Sequence, residues 1–181
     1  MDIYSDNDIL NLFDDDKPDL AFSILIRKYQ KPIYWHIRHM VIHHEDANDI
    51  TQDTFIKVWL NIHHFKKEAK LYTWLYKIAT NETISFLNKK KRLLLFSFDT
   101  YEKQLSENIE DDNYFNGDQA QLKFQKAILS LPQKQRTVFN MKYYSTLTFE
   151  EMSLILKTSE GALKASYHHA VKKIEKFIQD N

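Results

Sequence analysis

The sequence predicts an all-α protein of 181 residues. It contains only two glycines and three prolines, too few to supply the many tight turns of a β-rich fold. Apolar residues recur with a period close to 3.6 along most of the chain and almost nowhere alternate, which is typical of amphipathic helices. The helical stretches fall into two small domains, residues 1–92 and 119–181, which are joined by a linker at residues 93–118.

The composition excludes several classes of protein. The sequence has no cysteine, which rules out disulfides and thiolate metal sites. Its amino-terminal stretch, MDIYSDNDIL, is acidic where a secretory signal is basic, and no apolar run approaches the roughly 20 residues of a membrane-spanning helix. We therefore expect a cytoplasmic protein without membrane insertion.

Histidines invite a metal hypothesis, because His39 and His43 have the i, i+4 spacing of a chelating pair. Neither cysteines nor a convergent set of carboxylates complete such a site, so the sequence predicts no metal and no other cofactor. It also lacks a glycine-rich phosphate loop and any triad-like grouping, so an enzyme is not expected.

The net charge of zero conceals a strongly segregated charge distribution. Residues 1–20 carry a net charge of −6 and residues 21–92 carry +7, whereas residues 93–118 carry −6 and residues 119–181 carry +5. Two basic domains are thus separated by an acidic strip. Such a pattern favours nucleic acid as a partner of the basic domains.

The first domain is predicted to hold a short helix at about residues 5–15 and three long helices. Pro32 falls inside the first long helix and is expected to kink it. The first two apolar stripes comprise Phe22, Leu25, Ile26, Tyr29, Ile33, Ile37, Met40 and Val41, and then Ile50, Thr54, Phe55, Val58, Trp59 and Ile62.

In the third stripe, the apolar residues do not stay on one face of the predicted helix. It begins with Leu71, Trp74, Leu75 and Ile78, but the next positions on that side are Asn81, Glu82 and Ser85. This slip predicts a break or loop at residues 79–82, and a continuous helix with a polar patch is the alternative.

The linker at residues 93–118 is rich in Asp, Glu and Asn and shows no sustained stripe, so we expect it to be partly mobile. Fully extended, it reaches roughly 85 Å at about 3.3 Å per residue. An ordinary exposed loop with a short helix is the alternative.

The second domain ends in a pattern typical of a helix-turn-helix. Helices are predicted at residues 119–129 and from Pro132 to about Tyr144. Thr148 and Glu151 have capping-box spacing, which predicts that the next helix starts at Phe149. After the interruption at residues 157–159, Thr158 or Ser159 can cap the last helix.

The last helix has an apolar and a polar face. Its inward face is predicted to comprise Leu163, Tyr167, Ala170 and Ile174, and its outward face Lys164, Ser166, His168, His169, Lys172 and Lys173. A polar, basic second helix fits a reader of the DNA major groove. Two ordinary bundle helices are the alternative for this segment.

Four motifs in order give the chain a family resemblance. They lie at residues 46–62, 71–92, 129–144 and 148–174. Together they resemble the extracytoplasmic-function (group 4) RNA polymerase sigma factors of the sigma-70 family. The resemblance implies a transcription initiation factor that binds core RNA polymerase, recognises promoter DNA and helps to melt it. It also implies an anti-sigma factor as a partner.

The same resemblance implies three groups of binding residues. The core-polymerase contacts are Asp46, Asp49, Gln52, Asp53 and Lys57. The contacts to the minus-ten promoter element are Ile78, Ala79, Thr80, Asn81, Lys89, Lys90, Lys91 and Arg92, and Asn81 matches the Asn of a loop that captures a flipped-out base. The contacts to the minus-thirty-five element are Lys164, Ser166, His168, His169 and Lys172. The linker is expected to thread toward the polymerase cleft, and it is hypothesised to mask the basic domains in the free protein.

The chain departs from the common pattern in its last two helices. Ser166, His169 and Val171 stand near positions where arginines are usual, and Lys157 stands where the turn often has Gly. Fewer guanidinium groups mean fewer bidentate guanine contacts, so the promoter sequence itself is left open. Two other functions also remain open: a stand-alone helix-turn-helix transcriptional regulator, and a helical interaction protein without a nucleic-acid role.

Overall fold

A computed structural model describes residues 4–93 and 118–180 of the chain. The helices are α1 (Asp6–Asp14), α2 (Pro18–Val41), α3 (His44–Asn61), a 3₁₀ turn (Ile62–His64), α4 (Leu71–Leu93), α5 (Gln119–Leu129), α6 (Gln133–Tyr144), α7 (Phe149–Leu156) and α8 (Glu160–Asp180). These two ranges contain no strand, and the all-α prediction is confirmed. Apart from its two end residues, the predicted linker lies outside the described residues, as do the hypotheses about its path and its masking role.

Helices α1 to α4 build the first half of the structure around α2, which packs against the other three. The predicted stripe of α2 faces inward, and its central side chains Leu25, Ile33 and Ile37 have no exposed surface. Pro32 lies inside α2, and the helix continues on both sides of it. The apolar periodicity of the sequence therefore predicts this core correctly.

Helix α4 is continuous, so the predicted break at residues 79–82 is wrong and the alternative of an unbroken helix is right. At this level the inward face consists of Ala79, Thr80 and Thr83, all fully buried. The Thr83 hydroxyl donates to the Ala79 carbonyl at 2.7 Å, and the Thr80 hydroxyl lies 2.8 Å from His36 Nε2. Because these buried hydroxyls have partners, polar residues replace the apolar stripe without interrupting the helix.

Helices α5 to α8 surround a second core formed by Ala127, Ile128, Leu131, Phe139, Ala170 and Ile174. The predicted capping box at the start of α7 is present: Glu151 N donates to Thr148 Oγ1 at 3.1 Å, and Thr148 N donates to Glu151 Oε2 at 2.9 Å. Ser159 rather than Thr158 caps α8, since its Oγ accepts from Ala162 N at 3.4 Å. Pro132 is the residue before α6 rather than its first residue.

Lys157, in the turn between α7 and α8, has a left-handed backbone with φ 51° and ψ 45°. This conformation is sterically unfavourable for a residue with a Cβ, whereas Gly adopts it without steric cost. We expect Lys157→Gly to raise the free energy of unfolding by about 0.5–1 kcal/mol. Differential scanning calorimetry checks this, with Lys157→Ala as the control that keeps the Cβ. Equal melting temperatures for the two variants contradict the prediction.

The two halves of the structure pack against each other. Helix α6 lies on α2, and α7 lies on α4. Val138, Met141, Met152 and Ile155 are buried in the same apolar cluster as the core of the first half. One apolar cluster therefore runs from α2 into the helix-turn-helix.

Candidate nucleic-acid and protein interfaces

The outer face of α3 presents unpaired carboxylates. Asp49, Gln52 and Asp53 are exposed and lie on one side of the helix, because residues three and four apart are neighbours on a helix surface. Within residues 4–93 and 118–180, no cation lies at ion-pair distance from Asp49 or Asp53. These two carboxylates are therefore available to cations of another molecule.

An apolar groove continues this acidic face toward the end of α3. Ile56 is 56% exposed, Leu60 65% and Trp59 37%. Between α2 and α3 they border a groove of about 630 Å³, in which the ring centroids of Phe22 and Trp59 lie 4.8 Å apart. The sequence analysis placed Trp59 in the core and did not select Ile56 or Leu60. A signal for these two was present, since they follow Gln52 by four and eight residues, outside the buried stripe.

Two other residues expected to contact polymerase form ion pairs that join α3 to α4. Lys90 Nζ lies 2.6 Å from Asp46 Oδ2, and Lys57 Nζ lies 2.6 Å from Glu82 Oε2. Asp46 and Lys57 therefore already have partners within the protein. The first of these ion pairs also engages Lys90, which the sequence analysis assigned to DNA.

A surface pocket of about 290 Å³ surrounds Asn81 on the exposed side of α3 and α4. Its wall is formed by Lys57, Asn61, His64, Trp74, Lys77, Ile78, Asn81 and Glu82. The Asn81 amide can both donate to and accept from a base edge, and an indole ring offers a stacking surface. The pocket thus combines polar recognition, an aromatic ring and positive charge.

The structure corrects the sequence assignment around this pocket. Ala79 and Thr80 were predicted to contact DNA, but both side chains are fully buried on the inward face of α4. The cause is the unbroken helix, which turns these residues away from Asn81. The sequence analysis also missed Trp74 and Lys77, whose positions two turns and one turn before Asn81 on a helix were the available signal.

The end of α4 is strongly basic. Lys89, Lys91 and Arg92 are exposed, while Lys90 is held by Asp46. Cations are favourable at a helix carboxyl end, where the helix dipole is negative. This stabilises the cluster in the absence of a ligand, and its exposed members can also contact phosphates.

Helix α8 has the two predicted faces. Leu163, Ala170 and Ile174 are buried, and Tyr167 stacks on Phe139 with ring centroids 5.7 Å apart. The opposite side exposes Lys164, His168, His169, Lys172 and Lys173, whereas Ser166 is partly buried. Lys164 forms an exposed pair with Glu160 at 3.1 Å, which is weak enough to exchange for a phosphate.

No three potential metal ligands of the His, Cys, Asp or Glu type come together in the described ranges. Among the helices of these ranges, none is both long and apolar enough to cross a membrane.

The helical fold and its exposed basic helices are typical of a DNA-binding protein of two helical units, which also carries a separate acidic and apolar face on α3. Residues 25–93 match the family model of Sigma-70 region 2, and residues 121–174 match that of Sigma-70, region 4. The chain is 30% identical over 168 residues to the ECF RNA polymerase sigma factor SigW of Bacillus subtilis, with 88% of this chain and 90% of SigW covered. It is 26% identical to the RNA polymerase sigma-H factor of Pseudomonas aeruginosa, with 88% and 86% covered.

Solved structures share the fold. The sigma factor RpoE of Bartonella quintana, in complex with the anti-sigma factor NepR, aligns with a TM-score of 0.67 at 20% identity, covering 87% of this chain and 96% of RpoE. CnrH, in complex with the cytosolic domain of CnrY, aligns with a TM-score of 0.63 at 18% identity, covering 90% of each chain. The chain belongs to the ECF family of RNA polymerase sigma factors, which direct RNA polymerase to promoters.

Proposed function

We propose that the outer face of α3 is where this sigma factor docks on core RNA polymerase. The observation that carries this proposal is the exposed set Asp49, Gln52 and Asp53. The two carboxylates have no cation partner among the described residues. The set also borders the apolar groove at Ile56 and Leu60. An acidic rim beside an apolar groove can supply both electrostatic orientation and buried apolar area to one interface.

The remaining surfaces divide promoter recognition between the two parts of the chain. Residues 1–92 bind the minus-ten element through the Asn81 pocket and the basic end of α4, and residues 119–181 bind the minus-thirty-five element through α8. The acidic residues 93–118 connect them. The exposed cations of α4 and α8 and the polar pocket between α3 and α4 support this division.

The chain itself catalyses no covalent step, because the polymerase makes the RNA. We place its action in the cytoplasm, where the polymerase works. Its partners include an anti-sigma factor, as do those of RpoE, a solved structure with the same fold.

Asn81→Ala is expected to reduce promoter-specific run-off transcription by about 10-fold or more. An amide that makes two hydrogen bonds to one base contributes about 1–3 kcal/mol of discrimination against the other bases. The pocket must also offset the cost of extruding that base from the duplex. The measurement uses core polymerase with and without the chain, on a promoter selected by the holoenzyme. Permanganate reactivity of unpaired thymines reports melting on the same template.

The matched control is Asn88→Ala, which removes an exposed amide from the same helix outside the Asn81 pocket. Equal transcription by the two variants contradicts the role of the pocket. Tight, specific promoter binding by the isolated chain, with no effect of core polymerase, instead supports a stand-alone regulator.

A further inference from the structure

A buried hydrogen bond lies behind the Asn81 pocket, on the inward side of α4. Thr80 is the residue before Asn81, and successive residues of a helix point about 100° apart. Thr80 is therefore fully buried, while Asn81 is exposed in the pocket. The Thr80 hydroxyl lies 2.8 Å from Nε2 of His36, which belongs to α2 and is 5% exposed. This bond joins α4 to α2 at the level of the pocket.

The neighbouring inward side chains of α4 do not fix the helix in the same way. Ala79 has no polar group in its side chain, and the Thr83 hydroxyl donates to the Ala79 carbonyl of its own helix at 2.7 Å. A hydrogen bond between two helices, in contrast, weakens steeply when its distance or angle changes. The bond between His36 and Thr80 therefore selects one rotation of α4 about its axis.

His36 is itself held in place by aromatic neighbours. Its ring centroid lies 4.8 Å from that of Tyr76, which in turn lies 4.2 Å from that of Tyr72. Burial lowers the pKa of His36 to about 3, so the imidazole is neutral at pH 7. A neutral ring in a fixed position offers Thr80 a hydrogen-bonding nitrogen at a constant place.

The rotation of α4 decides where the groups that line the pocket stand. Trp74, Lys77 and Asn81 all belong to α4, and Asn61 faces them from α3. Rotating α4 by 20° moves each of its Cα atoms by about 0.8 Å, because these atoms lie about 2.3 Å from the helix axis. Binding groups need to stay within about 0.5 Å of their working positions. A rotation of this size therefore disturbs recognition.

On the solvent side, the contact that holds α4 is weaker. Lys57 Nζ lies 2.6 Å from Glu82 Oε2 across the pocket, but the lysine side chain is 50% exposed. Exposed ion pairs contribute little, because water and salt screen them. The buried bond behind α4 is thus the stronger constraint on the orientation of the pocket.

We propose that His36 and Thr80 are a positioning pair, whose buried hydrogen bond holds α4 in the rotation at which Asn81 reads its base. Thr80 then takes part in recognition of the minus-ten element without touching DNA. The inference rests on the proposed function, because it requires that the Asn81 pocket receives a base of that element.

Base preference in run-off transcription measures positioning separately from stability. Single-base variants of the minus-ten element first locate the position at which Asn81→Ala removes the preference. The ratio between templates does not depend on the fraction of folded protein, because one preparation transcribes all of them. Thr80→Val removes the hydroxyl but keeps the branched shape, and we expect it to lower the preference by about 5-fold or more. Thr80→Ser, which keeps the hydroxyl, is expected to retain the preference.

Thr83→Val is the matched control. Thr83 is also a fully buried threonine on the inward face of α4, but its hydroxyl donates within the helix. We expect Thr83→Val to lower the melting temperature about as much as Thr80→Val does and to leave base preference unchanged. His36→Leu should weaken the preference as Thr80→Val does. The double variant should lose no more than either single variant, because both changes remove the same bond.

The outcomes separate the positioning pair from the pocket. If Asn81→Ala removes the preference while Thr80→Val leaves it intact, the pocket stands and the positioning pair is overturned. Equal losses in Thr80→Val and Thr83→Val, or in Thr80→Val and Thr80→Ser, also overturn the pair. If Asn81→Ala changes the preference at no position of the minus-ten element, the pocket is overturned and the positioning pair with it.

Discussion

The double substitution Asp49→Lys and Asp53→Lys is expected to weaken holoenzyme formation by about 100-fold or more. Both carboxylates are exposed on α3 and have no cation partner in the described ranges, so their charge is available to polymerase. Reversing it places like charges across the interface, which costs several kcal/mol. Fluorescence titration of the labelled chain with core polymerase measures the change in affinity.

The control carries the same change in net charge at another site. Asp15→Lys with Glu68→Lys replaces two exposed acids outside α3 and is expected to leave polymerase affinity nearly unchanged. Equal weakening by both pairs shows that long-range charge alone attracts the polymerase. In that case the face at Asp49 is not the docking site.

Acid is expected to destabilise the protein strongly between pH 7 and pH 5. Burial lowers the pKa of His36 from 6.5 to about 3 and that of His39 to about 4, and these side chains are 5% and 7% exposed. In this pH range the unfolded chain binds protons that the folded protein excludes, so the free energy of unfolding falls as pH falls. At pH 5 each histidine contributes a loss of about 2 kcal/mol, or about 4 kcal/mol together.

Urea unfolding at the two pH values measures this loss. The pKa values of Asp8 and Glu151 are lowered by hydrogen bonds, so these two carboxylates stay ionised in this pH range and the buried histidines dominate the change. His36→Gln is expected to remove about half of the pH dependence, whereas His63→Gln, at an exposed position, leaves it unchanged. A pH dependence that is identical in both variants contradicts the assignment to His36.

The sequence predicted the elements whose signals are local. The capping box at Thr148 and Glu151 depends on residues three apart, and the two faces of α8 depend on helical periodicity alone. Both are present in the structure. By contrast, the unbroken course of α4 depends on a contact between Thr80 and His36, which are 44 residues apart. No periodicity within α4 reveals that partner, and the predicted break was wrong for this reason.

The candidate sites show the same division between features that local sequence signals predict and features that depend on distant contacts. The sequence selected Asn81 and the acidic residues of α3, because they match the contact positions of the family that the four motifs resemble. It could not separate Asp49, which has no cation partner in the described ranges, from Asp46, which pairs with Lys90 across 44 residues. It also missed Trp74, because a tryptophan in an apolar stripe is predicted to be a core residue. Only the tertiary structure shows that Trp74 lines the Asn81 pocket.

The sequence by itself determined the helical class, the capped turns and the polar, basic face of α8, since each follows from residues within a few positions of one another. Only the tertiary structure decided that the two halves share one apolar cluster and that Asn140 of α6 bonds to His39 of α2. The physical reason is that burial and pairing depend on which surfaces meet, and that is a property of chain segments separated by 101 residues rather than of either segment alone.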